Sequence, residues 1–133
     1  MRIIILFLVM FNLSFAELKN VWASKDFLKN DIKIIDVRTP GEWRETGIIE
    51  GSYPIMFFDE QGRFNIPLFL EQLNSVVKKD EQFALICRTG SRTSEISKFL
   101  AYELGYDVIN LAGGIEKLMQ EGYKPVMYLP KKP

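Results

Sequence analysis

The chain has 133 residues, 17 basic and 17 acidic side chains, a single cysteine and no histidine. That length holds one domain, and a formal net charge of zero offers no basic face for nucleic acid. The missing histidine excludes a Cys–His pair, a Ser-His-Asp triad and an imidazole base, and with one cysteine it leaves only carboxylates as strong zinc ligands.

In chain order, the first element is a leader. MRIIILFLVMFNLSFA opens with Arg2, runs apolar from Ile3 to Phe11 and ends in Ser14-Phe15-Ala16. A basic start, an apolar stretch and a small-x-small ending predict a secretory signal peptide, residues 1–16, cleaved after Ala16. The apolar run is shorter than the roughly 20 residues needed to cross hydrocarbon, so no stable membrane insertion of the mature chain, residues 17–133, is expected. The expected location is outside the cytoplasm, in the periplasm. Trimming the leader removes only Arg2, so the mature chain stays near neutral.

The segment 31–38, DIKIIDVR, places Ile32, Ile34, Ile35 and Val37 in a short run that suits a buried strand. Thr39, Pro40 and Glu42 then form a capping-box pattern that predicts a short helix. Residues 51–58 read as a second strand, with Pro54 marking an edge or turn. From Asn65, apolar residues at Ile66, Phe69, Leu70, Leu73 and Val77 follow the spacing of an amphipathic helix. FALIC, 83–87, is a continuous apolar strand. A helix with Ile96, Phe99, Leu100 and Leu104 on one face follows, stopping at Gly105. Residues 106–111 are another strand, leading into a short helix opened by Gly113-Gly114. This alternation predicts one α/β domain with a mainly parallel sheet.

Cys87 therefore falls at the carboxyl end of a buried strand, where open α/β sheets bind ligands. Arg88, Thr89, Gly90, Ser91 and Arg92 lead from it into a helix. Backbone amides in such a loop make an anion cradle, and the helix adds its positive end. Gly90 permits a tight bend with positive φ, and two guanidiniums stay charged at any working pH. These surroundings favour thiolate over thiol. The alternative is a passive core thiol; in an oxidising compartment an unpaired cysteine is either buried or used. Arginine is unfavourable near a helix N-terminus, so Arg92 is expected to have an anion or loop-carbonyl partner. Arg88 reads equally as a substrate contact or a solvated charge. Asp36 and Arg38 are expected to tie the sheet to its loops, and Gly113-Gly114 to let the last strand and helix pack closely. Trp22, Trp43, Phe57, Phe58 and Phe64 are assigned to core or pocket wall.

Three stretches, IDVRTPGEWRETGIIEGS (35–52), LICRTGSRTS (85–94) and INLAGGIEKL (109–118), resemble the three signatures of a single-domain rhodanese. The resemblance implies a rhodanese-like α/β fold, a mainly parallel five-stranded sheet flanked by helices. It also implies a thiosulfate sulfurtransferase-like enzyme in which Cys87 carries a persulfide from a small sulfur donor to a thiol or cyanide acceptor, including a protein thiol, with no cofactor and no metal. The active-site loop is then Cys87 to Arg92. Ile48 and Glu50 stand where such chains often have His and Pro, and Leu118 where a Trp commonly follows the double glycine. Two other functions share the architecture: a protein-bound sulfur carrier or binding module, and a phosphatase or arsenate reductase of the cell-cycle phosphatase type. The latter uses five residues between cysteine and arginine, whereas Arg88, Thr89, Gly90 and Ser91 make four here.

Overall fold

The computed structural model describes residues 16–131. The apolar leader thus lies outside the described residues, except for Ala16. Among the described residues, five strands form one sheet: β1 (Leu18–Trp22), β2 (Ile34–Asp36), β3 (Tyr53–Pro54), β4 (Phe83–Ile86) and β5 (Val108–Ala112). Their order is β1-β5-β4-β2-β3, and every pairing is parallel. Four α-helices flank it: α1 (Pro40–Thr46), α2 (Ile66–Asn74), α3 (Ser91–Lys98) and α4 (Gly114–Gln120). The expected α/β architecture holds.

The central strands β2 and β4 are buried along their whole length, which is why they read as unbroken apolar runs rather than alternating ones. Their side chains still alternate between faces. Ile35, Phe83, Leu85 and Cys87 enter a core with Phe69, Leu73, Ile96 and Leu100 from α2 and the α3 region. Ile34, Ala84, Ile86, Ile109 and Leu111 enter the opposite core with Ile115 and Leu118 of α4. Cys87 thus belongs to the α2/α3 side.

The structure corrects the sequence reading in several places. β1 had no signal: Lys19 and Asn20 interrupt its apolar pattern, and it becomes a strand by pairing Leu18 to Trp22 against Val108 to Ala112 of β5. The strand expected over 51–58 shrinks to the two residues of β3 at the sheet edge, where Pro54 needs no ladder N–H. Beyond it the chain stays tethered to β2 through Ile55 N–H on Asp36 O (2.9 Å) and Phe57 N–H on Val37 O (3.1 Å). The helix after the cysteine changes to a π-helical turn over Phe99–Glu103 before Gly105 turns the chain. Trp43, Phe57 and Phe58 pack inside or against the core, and Phe64, though 58% exposed, stacks on Phe57 with ring centres 5.9 Å apart and forms a cavity wall as expected, whereas Trp22 is exposed at 66%. Trp22 ends an edge strand and keeps its indole in water near the Lys117 ammonium, 5.8 Å from the ring centre.

Asp36 and Arg38 act as expected. Both are fully buried, and Arg38 donates through Nε and Nη2 to Asp36, through Nη1 to Thr46 Oγ1 (2.7 Å) and through Nη2 to Gly47 O (2.8 Å). One guanidinium therefore joins the end of β2 to the end of α1. The capping box is also formed: Glu42 N–H donates to Thr39 Oγ1, and the Glu42 carboxylate accepts from Thr39 N–H.

Candidate active site

The loop from Cys87 to Arg92 joins β4 to α3 at the carboxyl edge of the sheet, between β5 and β2. Gly90 caps α3 in the left-handed region at φ +98°, with no side-chain cap. That turn brings Gly90 N–H to 3.1 Å from Cys87 Sγ, the direct amide contact to sulfur. A Cβ at Gly90 would lie 3.0 Å from Gly113 N, so the loop also sits tightly under the next crossover.

Two loop carbonyls are engaged elsewhere. Ile115 N–H donates to Cys87 O at 3.0 Å and Glu116 N–H to Arg88 O at 3.1 Å, so the first turn of α4 holds the back of the loop. Gly114 makes this possible: at φ +65° it approaches so closely that a Cβ would stand 2.3 Å from Arg88 O and 2.6 Å from Cys87 O. The double glycine therefore serves the active-site loop, rather than only the packing of the last strand on its helix.

Thr93, which sequence reasoning passed over, lies fully buried with its hydroxyl 3.5 Å from Cys87 Sγ and 3.3 Å from Gly90 O. Its signal was its position one turn into α3 from the cysteine loop. Cys87 has no exposed surface, while Arg88, Thr89 and Ser91 on the loop are exposed.

Arg92 does not meet a loop carbonyl. It forms a two-point pair with Glu42, Nη1 to Oε1 at 2.7 Å and Nη2 to Oε2 at 2.8 Å, with both side chains about three-quarters buried. A planar guanidinium fork matches a carboxylate in this way. Glu42 thus caps α1 and anchors the start of α3 with one carboxylate; only its capping role was legible. Arg88 has a looser partner, with Nε 3.9 Å from Glu116 Oε1 and both side chains half exposed or more.

The Glu42 pair should show in the pH dependence of stability. Burial pushes the Glu42 carboxyl up, but the Arg92 hydrogen bond and charge, the Thr39 amide and the Arg38 charge outweigh it and hold the group below its ordinary range. Arg92 is held above its ordinary value, first by the Glu42 hydrogen bonds, against its own burial. A depressed folded-state carboxyl adds stability above its unfolded value and loses it as pH falls through the folded value. The advantage of wild type over Glu42→Gln should therefore be full at neutral pH and vanish below the ordinary carboxylate range of about 4. Urea unfolding of both proteins across pH checks this; a difference that persists at low pH refutes it.

Among the described residues, no three His, Cys, Asp or Glu side chains gather to hold a metal ion, and no helix is long and apolar enough to cross a membrane.

A lone thiol under a short loop at the carboxyl end of a central parallel strand, backed by a helix N-terminus, defines a class of single-domain α/β proteins built around a cysteine loop. The chain belongs to the rhodanese-like domain family, whose model matches residues 19–121. It is 37% identical over 110 residues to the Arabidopsis thaliana mitochondrial protein HIGH ARSENIC CONTENT 1, covering 81% of this chain. The chain spans only 64% of that relative's length. It is 32% identical over 85 residues to YtwF of Bacillus subtilis, provisionally named a sulfurtransferase, covering 64% of this chain and 71% of that one. Among solved structures, SSP1007 of Staphylococcus saprophyticus aligns with a TM-score of 0.56 at 26% identity, over 76% of this chain and 95% of that chain.

Proposed function

We propose that this chain is a sulfurtransferase that moves a sulfane sulfur through a persulfide on Cys87. The observation that carries the reading is the Gly90 N–H held 3.1 Å from Cys87 Sγ inside a loop of four residues between Cys87 and Arg92. An amide donor and the positive end of α3 face the sulfur where negative charge sits during transfer, and a thiolate attacks sulfur without a base. With thiosulfate as donor, the Cys87 thiolate attacks the outer sulfur, the S–S bond breaks, and its electron pair leaves on sulfite. An acceptor thiolate or cyanide then attacks the outer sulfur of the persulfide and releases the Cys87 thiolate. The chain has no second cysteine, so the acceptor is external, a small thiol, cyanide or a protein thiol.

The name of the Arabidopsis relative favours one second reading, an arsenic oxyanion as the substrate of the same thiolate. One experiment separates the two. Incubation with thiosulfate should add the mass of one sulfur to the Cys87 peptide and support thiocyanate formation from cyanide. A parallel incubation with arsenate that leaves an arsenic adduct on the Cys87 peptide, with no sulfur loading from thiosulfate, would reverse the assignment.

The apolar leader supports export, with cleavage after Ala16. The native protein should then begin at Glu17, and a native N-terminus at Met1 would overturn this.

A further inference from the structure

Thr93, the third residue of α3, has its hydroxyl oxygen 3.3 Å from Gly90 O and 3.5 Å from Cys87 Sγ, and no part of the residue is exposed. A threonine hydroxyl on a helix often bonds the carbonyl three or four residues back, so the ordinary reading is a local bond to Gly90 O. That carbonyl does not depend on it, because Ser94 N–H already donates to Gly90 O at 3.1 Å. A hydroxyl has one proton to give. Here it has two acceptors within reach, and one of them is the reacting sulfur.

The balance between those acceptors changes during sulfur transfer. A thiolate sulfur carries a full charge and draws a donor strongly, whereas the inner sulfur of a persulfide is a weak acceptor. In loading, the Cys87 thiolate attacks the outer sulfur of thiosulfate, sulfite leaves, and the charge passes to the new outer sulfur. In unloading, cyanide attacks that outer sulfur, its bond to Sγ breaks, and thiocyanate leaves. The electron pair of the broken bond returns to Cys87 Sγ. Negative charge therefore builds on Sγ only in the second half, where it can meet two donors, Gly90 N–H at 3.1 Å and the Thr93 hydroxyl.

We infer, on the reading that Cys87 carries sulfur, that Thr93 is a catalytic residue of the unloading half, its O–H turning from Gly90 O to Cys87 Sγ to receive the returning charge. The turn is rotation about one C–O bond and displaces no heavy atom. Donors already placed where charge develops raise rate in this way.

Thr93→Val keeps the shape of the side chain and removes the donor, and Gly90 O retains Ser94 N–H. Neither this variant nor Thr93→Ser alters a charge, so the pairs Arg92–Glu42, Arg38–Asp36 and Arg88–Glu116 are the same in each protein. Single-turnover loading by thiosulfate and unloading by cyanide are measured separately, each where its rate no longer rises with pH. Thr93→Val should slow unloading about ten-fold and leave loading no slower than in wild type, since the attacking thiolate has lost a donor that held it back. Thr93→Ser should restore unloading, and Thr93→Ala, which cannot crowd the site, should repeat the valine result. Equal slowing of both halves, as a loosened loop would give, or unchanged unloading overturns the inference. Exchange with hydroxyethyl disulfide reads the same hydrogen bond without sulfane sulfur: the Cys87 thiolate attacks one sulfur, the S–S bond breaks, and mercaptoethanol thiolate leaves. Its equilibrium should move toward the mixed disulfide by about ten-fold or more in Thr93→Val. A wild type that never loads sulfur, beside a shifted exchange, refutes the proposed function and leaves the hydroxyl's bond to the sulfur standing. An unshifted exchange refutes the inference whatever the loading does.

Discussion

Cys87→Ser is expected to lose sulfur transfer by at least about 10³-fold while keeping its fold, because a serine hydroxyl without a base is a poor nucleophile and cannot carry a persulfide. The substitution is nearly isosteric, which matters at a position with no exposed surface. The new hydroxyl also finds partners in place: Gly90 N–H, now 3.1 Å from the sulfur, and Thr93 Oγ1 at 3.5 Å. A buried polar group with such partners carries little penalty. The checks are turnover with a sulfur donor, the sulfur adduct on the 87-containing peptide, and the thermal midpoint. A serine variant that keeps most of its turnover would sink the mechanism. A variant that loses turnover only by unfolding would leave the chemistry undecided, so Cys87→Ala, which removes the nucleophile without adding a polar atom, accompanies it and should give the same loss.

The largest effect on stability is expected at Arg38, far in role from the chemistry. Arg38→Ala should destabilise the domain by about 3–5 kcal/mol, the usual consequence of breaking a buried ion pair by removing one partner. Asp36 would keep a carboxylate with no exposed surface, its guanidinium partner gone and only the main-chain amide of residue 38, at 3.1 Å, still donating to it. Gly47 O would lose its donor from the guanidinium as well. Arg38 thus joins β2 to the turn that leaves α1, and its loss would loosen the platform beside the cysteine loop. Removing both partners, as Asp36→Ala/Arg38→Ala, should cost clearly less than the two single changes together, since neither charge is then stranded. Denaturant unfolding of the two single variants and the double variant measures the coupling. Additive losses would mean that the pair does not hold the fold in the way the geometry indicates.

The sequence by itself determined the elements whose cause is local. β4 and β5 are short apolar runs closed by turn residues, and such runs become buried strands wherever helices cover both faces of a sheet. Thr39, Pro40 and Glu42 lie within one helical turn, so the capping box could be read directly and is formed. Gly90 was legible because the bend after Cys87 needs a positive φ, and it adopts +98°. The lone cysteine at a strand end with no histidine in the chain was enough to define a base-free thiol loop.

Tertiary structure decided whatever depends on residues far apart in the chain. Leu18–Trp22 carries Lys19 and Asn20 amid its apolar residues, and only the parallel ladder with β5, some 90 residues on, makes it a strand. Arg92 was expected to meet an anion or a loop carbonyl; the anion is the Glu42 carboxylate, 50 residues earlier. No spacing rule connects the two, because the sheet order alone sets α1 beside α3. Gly114 looked like a packing residue of its own helix until the fold brought it against the carbonyls of Cys87 and Arg88. The charge of the site changed for the same reason. Two arginines in five residues read as a receptor for anions, but a side chain's effective charge depends on what packs against it: the fold packs the Glu42 carboxylate against Arg92, while Arg88 stays exposed with Glu116 3.9 Å away.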